Sequence, residues 1–200
     1  MFQNYNKVQR AVLETTLRII NQKELQATSM SLIAKESGVS TGSIYHYFKS
    51  KEEIINELYR GTVVFNGEFV IKGLSGGTSV QECFRLAWRS IFQLCMEFPQ
   101  GFQFIEQYSF SPYIYDEVKM EAYEGGWCIP LEKLYAEGIL QGLFINLKPK
   151  LMVQMHYGSI VYLVKGHLQS YVELTEEVIE RVIQASWDSI SIQAHTVEES

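Results

Sequence analysis

The sequence predicts an all-α protein: an N-terminal three-helix head containing a helix-turn-helix, followed by a larger helical body. Three observations predict it. Apolar residues recur at spacings of three and four along the chain, and strand-like alternation never persists. Capping residues, glycine stops and proline starts divide the chain at helix-sized intervals. The composition, 46% hydrophobic and 20% charged over 200 residues, is that of a folded chain rather than a disordered one.

The elements follow in order. A first helix is expected at about 4–23, with Val8, Val12, Leu13, Thr16, Ile19 and Ile20 on one face. Thr28 is a suitable N-cap for a second helix, which carries Leu32, Ile33 and Ala34 and stops at Gly38. A third, short helix follows Ser40 and runs to about Phe48. Ser50 and Glu53 form a capping box for a fourth, extending through Ile54, Ile55, Leu58 and Tyr59 to about Ile71. Lys72-Gly73-Leu74-Ser75-Gly76-Gly77 is the clearest break. Thr78-Ser79-Val80-Gln81 reads as a second capping box, opening a helix to about Phe98. Pro99 and Gly101 lead into a short helix at about 101–109, and Ser111-Pro112 breaks again. A further helix or pair covers about 113–141, with Gly125-Gly126 as the point of interruption. Pro149 starts a helix to about 171, and Thr175-Glu176-Glu177 caps the last, to about Ala194.

Charge is unevenly spread. Residues 1–51 hold seven Lys/Arg against three Glu, whereas residues 52–200 hold ten against twenty Asp/Glu. A basic head suits phosphate contact and an acidic body is repelled by it. No apolar run reaches about 18 residues, so no membrane partner is expected. The first residues lack a signal-peptide pattern, and the three cysteines, Cys83, Cys95 and Cys128, show no CxxC spacing. A reducing, cytoplasmic setting with buried, inert thiols is expected. GxSxG, HExxH and Gly-rich phosphate-loop motifs are absent. His156 and His167 stand eleven residues apart on one expected helix, too far to chelate one metal together. Neither enzymatic activity nor a cofactor is therefore expected.

Residues 28–48, TSMSLIAKESGVSTGSIYHYF, carry the chemistry. Ala34 is small enough for a second helix to cross closely, Gly38 supplies a left-handed turn, and Val39 and Ile44 pack the second helix down. That helix then exposes Thr41, Gly42, Ser43, Tyr45, His46 and Tyr47, followed by Lys49 and Lys51. The small residues admit a helix N-terminus to a major groove. A plain helical hairpin would share the glycine turn; the local basic charge and the YHYFKSKEE run argue against it.

On these residues the segment resembles the helix-turn-helix of the tetracycline-repressor (TetR) family of bacterial transcription regulators. The shared pattern stands here as Thr28-Ser29, Leu32-Ile33-Ala34, Gly38-Val39-Ser40, Gly42-Ser43-Ile44-Tyr45, Tyr47-Phe48 and Lys51-Glu52-Glu53, within about 50 residues including the first helix. The resemblance implies that Thr28, Ser40, Thr41, Gly42, Ser43, Tyr45, His46, Tyr47 and Lys51 contact double-stranded DNA. Thr41, Ser43 and His46 suit base edges; Thr28, Tyr45, Tyr47, Lys49 and Lys51 suit phosphates. Tyr45 could instead pack on the first helix. One departure is Glu24, where the family usually has glycine. Glutamate resists the left-handed conformation, so that helix end is expected to be built differently.

In the body, 13 of the 26 aromatics fall between Phe84 and Tyr135. Plain core packing explains such a stripe. A cavity for a small hydrophobic or aromatic ligand is the functional alternative, lined by Trp88, Phe92, Phe102, Ile105, Glu106, Tyr108, Tyr123 and Trp127. The last two helices carry small residues at near-helical spacing, and the resemblance implies that about 149–194 pairs with a second copy. The resulting expectation is a homodimeric repressor on a palindromic operator, released by a small ligand. Its domains are a DNA-binding head at 1–49 and a ligand-binding and dimerisation body at 50–200, with helix 50–71 as the bridge. The alternative is a helical ligand-binding or protein-interaction module that does not read DNA.

Overall fold

Asn6 opens the first helix. Its side chain accepts from the amides of Val8 and Gln9, and the Gln9 side chain accepts from the Asn6 amide. This reciprocal cap starts the helix three residues later than apolar spacing alone suggests. In the computed structural model, which describes residues 1–192, ten helices follow in order. They are α1 Lys7–Lys23, α2 Met30–Ser37, α3 Thr41–Tyr47, α4 Lys51–Leu74 and α5 Val80–Glu97, then α6 Pro99–Tyr108, α7 Asp116–Gly125, α8 Cys128–Leu140, α9 Pro149–Leu168 and α10 Glu176–Asp188. Among the described residues there is no strand, only an isolated antiparallel bridge between Phe144 and Ser191. The all-α expectation therefore holds. The last helix ends at Asp188, short of the expected Ala194; Ala194 itself and His195 lie outside the described residues.

Local chemistry accounts for most boundaries, including three that differ from expectation. Ser29, not Thr28, caps α2, accepting from the Leu32 amide. At α4 the Ser50 hydroxyl accepts from the Glu53 amide, but the Glu53 carboxylate reaches one residue further back, to the Lys49 amide. The box before α5 is Ser79 with Glu82, whose carboxylate accepts from the amide and hydroxyl of Thr78. That bonding holds the Glu82 carboxyl below its usual range. Thr175 caps α10 through the Val178 amide.

The chain packs as two compact units. Met1–Phe69 joins Leu94–Gly126 in the first; Val70–Gln93 joins the residues from Trp127 onward in the second. Both α4 and α5 contribute to each. The first unit is built on one continuous core. Val12, Leu13, Leu17 and Ile20 of α1 meet Ile33, Ile44 and Phe48, and the same core continues through Ile54 and Leu58 of α4 to Phe104, Tyr108, Ile114 and Val118. Asn56 is buried in this unit, donating to Tyr113 O and accepting from the Tyr115 amide, which pins the α6–α7 connection.

The second unit centres on Phe84, Trp88, Tyr135, Phe144 and His156, all buried, with Trp187 against Phe84 and Phe144. On its surface Arg85 and Arg89 of α5 bind Glu180 of α10, and Arg89 also binds Glu176. These pairs are largely exposed, so packing rather than charge carries this unit.

Candidate functional site

The turn between α2 and α3 is short because Gly38 takes φ 69°, a left-handed value that a side chain resists. Ala34 and Val39 pack against the core of the first unit. Ser40 then caps α3, its Oγ accepting from the Ser43 amide at 3.2 Å and lying 2.8 Å from Ser43 Oγ. Ile44 and Phe48 are buried at the underside of α3. Truncating either to alanine would cost about 2–5 kcal/mol, enough to free the helix from its seat.

With the underside fixed, the other face is presented to solvent. Ser40, Thr41, Gly42, Ser43, Tyr45, His46, Tyr47 and Lys49 are all exposed. Tyr45 is 52% exposed, so it stands outward rather than packing on α1. The His46 and Tyr47 rings meet edge to face at 4.8 Å. A Cβ at Gly42 would meet nothing within 4 Å, so the start of α3 is open to close approach.

Two expected contacts are placed differently. Thr28 is 1% exposed and its hydroxyl donates to Glu24 O, so this side chain is a buried brace rather than a phosphate donor. Ser29 and Ser31, whose hydroxyls lie 3.0 Å apart, are exposed at the start of α2 instead. Lys51 is half-buried, with Nζ 3.5 Å from Leu25 O. Leu25 itself is buried, and the Tyr108 hydroxyl is hydrogen-bonded to its backbone. The α1–α2 turn is thus held from α4 and from α6. Neither tie is legible in the sequence, because both end on backbone atoms.

Glu24 ends α1 outside the left-handed helical conformation, as expected, but not without strain. It does take a positive φ, 64° with ψ 167°, a region normally left to glycine. Its amide donates to Ile20 O and its carbonyl accepts from Thr28. The helix end keeps a glycine-type geometry and holds the strain by bonds on both sides.

Of the eight residues expected to line a ligand cavity, five lie in the first unit and three in the second. Phe102 and Tyr108 are buried, and Ile105 packs on the same core. Glu106 is half-buried and near Cys95; burial first, then this charge, pushes the Cys95 thiol up to about 12. Tyr123 is half-buried. In the second unit Trp88 and Phe92 are each 1% exposed, and Trp127 rests on the Tyr157 ring at 4.9 Å. Burial likewise raises the Cys128 thiol to about 11.

The second unit holds a buried polar chain. Trp88 Nε1 donates to Tyr135 Oη at 3.0 Å, and the same oxygen is hydrogen-bonded to His156 Nδ1. His156 Nε2 lies 3.3 Å from Ser189 Oγ, which donates to Ser186 O. Burial lowers the His156 pKa to about 4, which keeps the ring neutral at neutral pH. Beside the cluster lies an open cleft of about 600 Å³, bounded by Val80, Cys83, Leu134, Glu137, Leu143 and Trp187. That volume lies within the range of small-molecule sites. No helix among the described residues is long and apolar enough to cross a membrane.

Comparison with known proteins gives a consistent picture. Residues 12–58 match the family described as "Bacterial regulatory proteins, tetR family", and residues 79–191 match "Tetracyclin repressor-like, C-terminal domain". An uncharacterized HTH-type transcriptional regulator of Haemophilus influenzae is 24% identical over 90% of this chain and 93% of its own. The HTH-type transcriptional regulator BetI of Vibrio campbellii is 45% identical over 49 residues, a quarter of either chain. Among solved structures, a TetR family transcription regulator from Marinobacter aquaeolei superposes with a TM-score of 0.85 at 25% identity, over 96% of this chain and 99% of its own.

Proposed function

This chain belongs to the tetR family of bacterial regulatory proteins, as a helix-turn-helix transcriptional regulator, and on that premise we propose that it is a homodimeric repressor, released from a palindromic operator by a small apolar or aromatic molecule. The observation that carries the reading is the presentation of α3. Its underside is anchored by Ile44 and Phe48, while Thr41, Ser43 and His46 face outward with Tyr45, Tyr47 and Lys49 around them. Thr41, Ser43 and His46 read base edges in the major groove; the tyrosines, Lys49 and the outward hydroxyls at Ser29 and Ser31 bind phosphates. The head at 1–49 reads DNA, and the body at 50–200 binds ligand and the second copy.

One seven-residue helix touches only a few base pairs, so a specific site requires two copies about 34–36 Å apart. The outward face of α9 supports the dimer. Leu151, Met155, Gly158 and Tyr162 recur at four, three and four residues along it, and Tyr162 is 81% exposed. Such a stripe matches a helix-packing seam. The cleft is the proposed ligand site: Val80, Leu134, Leu143 and Trp187 offer apolar contact, and Gln81, Glu137 and Gln141 offer polar groups that would orient a ligand. A hundredfold loss of operator affinity needs about 2.7 kcal/mol of coupling between ligand and DNA.

Duplex binding measured against salt tests the reading. Affinity falls steeply with salt, and Lys49→Ala weakens binding to all sequences and lowers the salt slope by about one. Binding that is absent or indifferent to salt would favour a helical module that does not read DNA.

A further inference from the structure

Of the five residues before the α1 cap, Phe2 is buried, Met1 and Tyr5 are half-buried, and Gln3 and Asn4 are exposed. The segment is seated in the first unit against α4 and α6. Phe2 is 3% exposed, although its φ of 58° is a value that a bulky side chain adopts only under constraint. Two glycines make room. A Cβ at Gly61 of α4 would lie 3.0 Å from the Phe2 ring and from the Tyr5 hydroxyl, and one at Gly101 of α6 would lie 2.9 Å from Met1 Cε. Polar bonds close the seat. Tyr5 Oη donates to Glu57 of α4 at 2.7 Å. Arg10 of α1 donates to the carbonyls of Phe2 and Gln3 at 3.2 and 3.3 Å. Glu57 is in turn held by Arg60, which also binds Glu121 of α7.

We propose that residues 1–5 are a latch that joins α1 to α4, so that the DNA-reading helices and α4 turn as one body. α1 packs on both α2 and α3, and the covalent path from α3 to α4 is only Phe48-Lys49-Ser50. α1 also packs on α6 and shares its core with the first turns of α4; Phe2 and Tyr5 extend that hold along α4 as far as Gly61. α4 itself contributes residues to both units, Lys51–Phe69 to the first and Val70–Leu74 to the second. Insofar as the proposal concerns DNA, it rests on the reading of paired half-sites given above. With the latch open, the two copies of α3 lose their fixed spacing and the gain from binding two half-sites at once falls.

The test uses the full chain with Gly61→Leu, which fills the Phe2 seat from the α4 side, and Tyr5→Phe, which removes only the bond to Glu57 and leaves the core intact. The first readout needs no DNA: the rate of tryptic cleavage after Lys49, with cleavage after Lys165 of α9 as the internal control. The latch predicts about a tenfold faster cut after Lys49 in Gly61→Leu, a smaller rise in Tyr5→Phe, and no change after Lys165. The second compares a palindromic duplex with a half-site duplex. Palindrome affinity falls about tenfold while half-site affinity is unchanged. An unchanged rate after Lys49 in both variants would overturn the latch, as would an equal loss on palindrome and half-site. A wild-type chain that binds no duplex would defeat the DNA reading alone, and the cleavage rates would still decide the latch.

Discussion

Glu24 shows how much a single residue can be made to hold. Its φ of 64° with ψ 167° is a glycine conformation imposed on a glutamate at the turn that feeds α2. Strain of this kind costs about 1–3 kcal/mol, and glycine would give back only about 0.4–1 kcal/mol through the unfolded chain. Glu24→Gly is therefore expected to stabilise the protein by about 1 kcal/mol, seen as a melting midpoint about 2–4 °C higher. A lower midpoint would mean that the side chain does something the backbone does not reveal. His156 sets a pH dependence. Burial lowers its pKa from 6.5 to about 4, so between those values the unfolded chain binds a proton that the folded chain refuses. Stability is full above about 6.5, declines as pH falls toward 4, and the loss from this group levels off below. Urea midpoints at pH 7, 6 and 5 should show the decline, and His156→Gln should flatten it. Identical slopes would place the titrating group elsewhere.

At the scale of the element, α9 is the clearest case of an unshared face. Its inner side carries Met152, Val153, His156, Ile160 and Val164 into the second unit, while Leu151, Met155 and Tyr162 face outward. Tyr162→Glu is expected to yield monomers in sedimentation at micromolar concentration, with the helix content intact; a variant that sediments with the wild type would move the interface off α9. The elements were largely legible from residue order, and the reasons are local. Gly38, Pro99, Pro149 and Thr175 act on their own neighbours, and each marked its boundary in the sequence. The misplaced caps were also local but degenerate. Thr28 and Ser29, or Thr78 and Ser79, offer adjacent hydroxyls, and only the backbone geometry selects between them. The α3 surface was legible because burial of Ile44 and Phe48 determines which residues remain outside. What could not be read were interactions between distant segments. Tyr108 looked like a ligand residue from its aromatic neighbours, yet its hydroxyl is bonded to the backbone of Leu25. Likewise, Met1 and Phe2 gave no periodic signal, because the seats made by Gly61 and Gly101 lie some 60 and 100 residues away along the chain.

At the scale of the whole molecule, net charge conceals the division of labour. The chain is −6 overall, with its surplus of cations confined to the first 51 residues. That polarity attracts residues 1–51 to nucleic acid and repels the rest, which favours a defined contact over non-specific coating. A regulator of this design needs two heads held at a fixed separation. The central claim is that α3 is a base-reading helix used twice. Selection of bound sequences from a random duplex library tests it most directly. The account predicts enrichment of an inverted repeat whose half-sites are centred one helical turn apart, about 10–10.5 base pairs, or a multiple of it. Substituting Thr41 or His46 should relax the preference at single symmetric positions, each by about 1–3 kcal/mol. A library that emerges unenriched, or enriched in one unrepeated element, would contradict it.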